Sequence, residues 1–364
     1  MYNHSMKKRF IFAFVSIVLP VLVALLLGEA YIRYTNEYVT PEILRSKSLQ
    51  YSPSLFTRHV FATKEQHIED KGWFINNRGY RGRDFSLKKD EGTTRVIVYG
   101  GSAVFDQEMP NGKDWPHRLE SSLQEKGITN IEVINAGIPG HASFDSFGRL
   151  FAEGHLLDPD YVVLYNGWND MKYFSDGRSL LRIFKPYNKK LDPRIEYRGV
   201  LDQVLPETSQ LYVYLRGPYI NWKFRIGSEG IIPTGESVNV FDNPWPQQYR
   251  VNAEMFVDLA RNIDAVPILV TQARLVSQKN TEEEKALIKY DYVRMDHETL
   301  VQAFETLDEI LREVASHKGI PIVEASKEMS GNSEYFTDHV HFTEAGSAEI
   351  TSIISEYLHS LITE

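Results

Sequence analysis

Arg95-Val96-Ile97-Val98-Tyr99-Gly100-Gly101-Ser102 is the stretch on which the fold turns. After Arg95 come four residues with apolar bodies, three of them β-branched, and no polar residue alternates with them. A strand with one wet face alternates; a run like this one is covered on both faces, as in a parallel sheet flanked by helices. The glycine pair then lets the chain turn tightly off the strand end, and Ser102 heads the next segment. The same sign recurs at 131–134, ended by Asn135-Ala136-Gly137, at 161–165 after Asp158-Pro159-Asp160, at 266–271 and at 320–323. Helical patterns at 114–126, 143–156, 248–262, 295–317 and 344–361 fill the intervals. Strands alternating with helices imply a parallel sheet with right-handed crossovers. The expected fold is therefore α/β: a flavodoxin-like three-layer α/β/α sandwich with a five-stranded parallel sheet.

Two stretches break the alternation. Residues 172–245 are rich in proline, glycine and aromatics and read as a lid insertion. Tyr187, Tyr197, Tyr212, Tyr214, Tyr219, Trp222 and Trp245 suit sugar rings or acyl chains as platforms. Leu211, Tyr212 and Leu215 equally fit an amphipathic helix packed on the core. A second, polar insertion covers 275–290.

At the other end, Lys7-Lys8-Arg9 precede residues 10–28, which carry no charge. A membrane span needs about 20 apolar residues, whereas the apolar part of a cleaved signal is about 7–15. The expectation is a retained transmembrane helix over 10–30. A cleaved signal, for which Gly28-Glu29-Ala30 has the small-x-small form, and a buried soluble helix are the alternatives. Basic residues ahead of the span put residues 1–9 in the cytoplasm. The chain then divides into a juxtamembrane segment, 31–90, and an extracytoplasmic domain, 91–364, periplasmic or at the cell surface.

Composition excludes some chemistry. The 364 residues contain no cysteine, hence no disulfide, thiolate ligand or cysteine nucleophile. Net charge is −9 with no long run of like charge, so nucleic acid is not an expected partner. No cofactor is expected. His339-Val340-His341 has the form of half a metal site, but no further ligand cluster accompanies it.

In open parallel sheets, sites form beyond the carboxyl ends of the strands. Ser102 follows the first strand, Gly137 the second, Asn169 and Asp170 the third, and Asp338 and His341 the fifth. A serine hydroxyl becomes a nucleophile when an imidazole takes its proton and a further group fixes the imidazole. Taken singly, Ser102 equally suits a helix N-cap and Asn169 a turn. His339 reads as a loop side chain near the rim, and Arg274 as a solvated loop arginine or a contact for an anionic substrate.

Together the segments resemble, in order, the conserved blocks of the SGNH (GDSL-like) hydrolases. Val98-Tyr99-Gly100-Gly101-Ser102 resembles the nucleophile block, Asn135-Ala136-Gly137-Ile138-Pro139-Gly140 the second block, Gly167-Trp168-Asn169-Asp170 the Gly-x-Asn-Asp block, and Asp338-His339-Val340-His341 the Asp-x-x-His block. The resemblance implies a catalytic triad of Ser102, Asp338 and His341. It also implies an oxyanion hole from the Ser102 N–H, the Gly137 N–H and the Asn169 side chain. Gly101 departs from the pattern, since aspartate stands there in the family name. The Gly-x-Ser-x-Gly elbow of α/β-hydrolases is absent.

The implied function is a serine esterase removing O-acetyl or other short acyl groups, with an extracytoplasmic acylated glycan as substrate and the membrane as a partner through the N-terminal helix. An O-acyltransferase on a surface polysaccharide, a lipase or lysophospholipase acting on a lipid ester, and a catalytically silent glycan-binding scaffold stay open as alternatives.

Overall fold

A computed structural model describes residues 2–35, 49–52, 54–174, 205–212, 214–216, 218–219, 245–293 and 295–364. Most of the expected lid lies outside these residues, Tyr187, Tyr197 and Trp222 included. The chain forms two compact units: 1–48 with 189–231, and 49–188 with 232–364.

Among the described residues, the second unit holds nine strands. Four are short: β1 (Tyr51–Ser52) pairs antiparallel with β2 (Val60–Phe61), and β3 (Gln66–Ile68) with β4 (Trp73–Ile75). The remaining five are β5 (Thr94–Gly100), β6 (Ile131–Gly137), β7 (Tyr161–Tyr165), β8 (Val266–Val270) and β9 (Ile322–Val323). They form one sheet in the order β6-β5-β7-β8-β9, every neighbour parallel. Val96, Ile97, Val98 and Tyr99 are fully buried, as the unalternating run requires.

Helices cover both faces. On one lie α3 (Trp115–Glu125), which buries Leu119 and Leu123, and α9 (Glu344–Thr363), which packs against it. On the other lie α4 (Ser143–Leu157), α6 (Trp245–Asn262) and α8 (His297–Lys318). Two short helices, α2 (Ser102–Phe105) and α5 (Trp168–Phe174), start directly beyond β5 and β7. Another short one, α7 (Tyr290–Val293), starts where the second polar insertion ends.

The stretch expected as one juxtamembrane segment, 31–90, is divided: from Leu49 onward it belongs to the unit that holds the sheet. Buried arginines explain why. Arg95, at the start of β5, donates to the carbonyls of Ser86, Leu87 and Leu157 and pairs with Glu132 at 2.6 Å. Arg149 of α4 donates to Ala136 O at 2.8 Å and Gly79 O at 3.1 Å. Arg58 pairs with buried Asp145 of α4. Buried carbonyls must find donors, and these guanidiniums supply several each. Arg274, expected to be solvated, is buried too: it pairs with Asp308 at 2.8 Å and lies over the Phe304 ring.

In the first unit α1 (Tyr2–Thr35) contains, over Phe14–Thr35, a segment long and apolar enough to cross a membrane, with a mean hydropathy of 2.3. Near its end the Glu29 carboxylate accepts the Ser209 hydroxyl at 2.8 Å and the N–H groups of Gln210 and Leu211 at 2.8 and 2.9 Å. Arg33 bonds Glu29 at 2.6 Å and the Thr208 carbonyl at 3.2 Å. Tyr214, Leu215 and Tyr219 are exposed.

Candidate active site

The nucleophile position is built by β5 and its turn. Gly101 is the residue before α2, so Ser102 opens a helix whose first N–H groups have no partner within the helix. Beneath this turn lies Arg81, fully buried, which donates to the carbonyls of Phe105, Asp106 and Met109 and lies over the Phe105 ring at 4.5 Å. Burial works to raise the pKa of Asp114, but Arg81 and His117 beside it hold the carboxyl below its ordinary value. Asp106, facing the same cluster, accepts from Trp115 N–H at 3.0 Å and from the Ser347 hydroxyl. Burial pushes its carboxyl up to about 7 against those bonds.

The Asp-x-x-His segment closes into a tight loop. Phe336 and Phe342 face each other across an antiparallel bridge, both buried, and the Thr337 N–H donates to His341 O at 2.8 Å. Inside the loop the Asp338 carboxylate accepts the N–H groups of Val340 and His341 at 3.1 Å each, and His341 Nδ1 lies 2.8 and 2.9 Å from its two oxygens. The three-residue spacing thus lets one carboxylate hold both the backbone and the ring of the same histidine. Burial acts to raise the Asp338 pKa, yet the bond to His341 and the nearby imidazoles hold it well below the usual carboxylate range. Lys289 adds a contact at 3.2 Å.

The other ring nitrogen, His341 Nε2, is 2.7 Å from Ser102 Oγ. With Nδ1–H turned to the carboxylate, Nε2 is the acceptor for the serine proton, the tautomer that a general base requires. Ser102 and His341 are 9% and 7% exposed, so the pair is reachable but largely out of bulk water.

Asn169 lies in the first turn of α5, beyond β7. Its Nδ2 donates to His141 O at 2.9 Å, leaving a second N–H, and its Oδ1 accepts the Tyr292 hydroxyl at 3.0 Å. The next residue, Asp170, turns inward and accepts both the N–H (3.1 Å) and the hydroxyl (2.7 Å) of Ser143 at the start of α4. Burial pushes this carboxyl up to about 7, against the Ser143 bonds.

Two expected placements are corrected. Gly137 is the last residue of β6, and its N–H is taken by the Asn135 side chain at 2.9 Å, so it is not offered to an oxyanion. A Cβ at Gly137 would lie 2.3 Å from Phe105 N, so the glycine is there to let α2 pack on β6. Three residues on, Gly140 has φ +87°, a conformation glycine adopts without strain, with open space where a Cβ would point. Among the described residues its N–H alone in that loop lacks an acceptor: those of Ile138, His141, Ala142 and Ser143 are bonded, and position 139 is proline. His59 Nε2 lies 3.3 Å from Pro139 O, on the far side of the trans peptide that carries this N–H.

The second correction is His339, expected at the rim. It is 2% exposed and lies against the Trp168 ring at 3.8 Å, where burial pushes its pKa down to about 3. His339, His341 and Asp338 have ligand atoms within 4.8 Å of one another, as in a metal cluster. Both ring nitrogens of His341 are already engaged, one by the carboxylate and one by the serine, so a metal there would take the place of the triad bonds.

The model of the GDSL-like lipase/acylhydrolase family matches residues 98–348, more than half of the chain. The chain belongs to that family. The matched span contains Ser102, Asn169, Asp338 and His341. An arylesterase of Vibrio mimicus is 34% identical to this family member over 83 residues, which are 22% of the chain and 40% of that enzyme's length. Among solved structures, the lipase/acylhydrolase of Enterococcus faecalis is similar at 16% identity and a TM-score of 0.44, over 74% of this chain and 96% of that one. A GDSL-like lipase of Bacteroides thetaiotaomicron is similar at 14% identity and a TM-score of 0.42, over 76% and 93%.

Proposed function

We propose that this family member is a serine esterase with Ser102 as nucleophile, His341 as general base and Asp338 as the group that orients it. The observation that carries the proposal is the unbroken contact from Ser102 Oγ through the imidazole to the carboxylate, 2.7 and then 2.8 Å. In the first half-reaction Ser102 Oγ attacks the ester carbonyl while its proton passes to His341 Nε2. The tetrahedral oxyanion takes hydrogen bonds from the Ser102 N–H, the free Asn169 Nδ2–H and, in place of Gly137, the Gly140 N–H. Collapse expels the alcohol, which receives the proton from His341. Water then repeats the sequence on the acyl-enzyme.

The substrate class we propose is an O-acetyl or other short acyl ester on an extracytoplasmic glycan. The segment 14–35 would act as a membrane anchor with Lys7, Lys8 and Arg9 on the cytoplasmic side. Engagement of Glu29 by Ser209, Gln210 and Leu211 supports a retained helix, because cleavage after Ala30 would remove that carboxylate. The test is purified full-length protein in detergent, assayed on aryl acetate and on an acetylated polysaccharide, beside Ser102→Ala. Acetate release from both by the wild type alone is expected. Turnover undiminished in a folded Ser102→Ala protein removes the proposal.

A further inference from the structure

Tyr292 lies outside the four blocks that carry the family resemblance, in α7 just past the polar insertion, yet its hydroxyl reaches Asn169 Oδ1 at 3.0 Å. We propose that Tyr292 is a positioning residue: it holds the Asn169 amide with its N–H face turned toward the reacting oxygen. The inference rests on the esterase reading above, in which Asn169 donates to the oxyanion.

An asparagine amide has nearly the same shape either way round, and its two faces have opposite polarity. Turned by 180°, it would present a carbonyl oxygen to a developing negative charge and cancel the stabilisation that a donor gives. The structure fixes the amide at both ends. His141 O takes one Nδ2 proton and the Tyr292 hydroxyl supplies a proton to Oδ1. Donation into the amide oxygen also polarises the amide, which strengthens its remaining N–H as a donor.

Tyr292 can serve because its ring has a seat. It stacks on Trp168, the residue before Asn169, with planes 10° apart and centroids 5.8 Å apart. Trp168 is itself buried between His339 and Phe304. The same short segment carries Lys289, 3.2 Å from Asp338. The turn over 289–292 therefore touches both the acid of the triad and the amide of the oxyanion site.

Tyr292→Phe keeps the stack on Trp168 and removes only the hydroxyl. On aryl acetate kcat should fall roughly fivefold, the equivalent of one lost hydrogen bond of about 1 kcal/mol, with KM within about twofold. In an Asn169→Ala background the same change should have no further effect, since the tyrosine acts through that amide. A residue that merely packs would lower stability without this dependence on Asn169. A second readout is independent of turnover: the Asn169 side-chain amide resonances, assigned by their loss in Asn169→Ala, should shift in Tyr292→Phe. An unchanged kcat, an equal further loss in the Asn169→Ala background, or unmoved amide resonances would overturn the proposal. A wild type without any ester turnover would sink the esterase reading instead and leave the amide shift to decide the tyrosine.

Discussion

Replacing Gly101 by alanine tests the oxyanion site through the space around it. A Cβ built at Gly101 lies 2.6 Å from Asn169 Nδ2 and 2.8 Å from His141 O, both closer than real Cβ atoms come. The backbone there has φ −91°, which any residue adopts, so the whole effect is one of room. Of the two neighbours, the carbonyl belongs to a loop held by hydrogen bonds from Asn166 and Asn169, whereas the amide is the end of a side chain. The amide is therefore what moves most, and it must retreat by about 0.8 Å to regain ordinary contact at 3.4 Å. A donor aimed at a transition-state charge loses most of its value over such a distance, and one donor is worth roughly 10²–10³ in turnover. Gly101→Ala should lower kcat on aryl acetate by that factor, leave KM within a few-fold and lower Tm as well, because the His141 carbonyl at 2.8 Å is backbone that must also give. The double variant with Asn169→Ala should be no slower than Asn169→Ala alone. A folded Gly101→Ala protein with kcat within threefold of wild type would show that the Asn169 amide is not an oxyanion donor.

Two further outcomes are expected from the geometry. Ser102→Ala and His341→Ala should each abolish esterase turnover and the double variant should be no worse, because the members of a triad act as a unit; additive losses in initial-rate assays would refute the coupling. Asp106 and Asp170, both pushed up to about 7 by burial, hold their protons in the folded state at a pH where an unfolded carboxyl, near 4, has lost its own. The stability each contributes is then full below about pH 4 and declines toward pH 7, by on the order of 4 kcal/mol per group. Asp106→Asn, which keeps the uncharged form, should narrow the gap in Tm between pH 5 and pH 8, and parallel curves for variant and wild type would refute the assignment.

The strands were legible because burial on both faces leaves an unalternating apolar run: Val96 to Tyr99 and 161–165 carry that mark plainly. The Asp-x-x-His loop was legible for a different reason, since its contacts are local and a three-residue spacing suffices to describe them. What sequence could not show depends on contacts between distant segments. Gly137 and Gly140 stand in one block, and only the bond from Asn135 to one N–H tells which is spent. The glycine after Pro139 was the available sign, since φ is positive there. His339 and Arg274 look like surface residues by type, and their burial depends on Trp168, Asp308 and Phe304 coming from other elements. Tyr292 had no sign at all, because its partner is 123 positions away.

The carboxylate of Glu29 makes the N-terminal helix something other than a tether. It supplies the acceptor for two backbone N–H groups and a hydroxyl that lie some 180 positions later in the chain. A protein trimmed to begin after this helix would keep every residue of the triad and lose the cap on 209–211. Preparations with and without the helix therefore differ in the insertion as well as in solubility. Their rates on a small aryl ester are expected to agree, while their choice among large substrates need not, and a specificity measured on the trimmed form describes a protein whose insertion has lost the acceptor for 209–211.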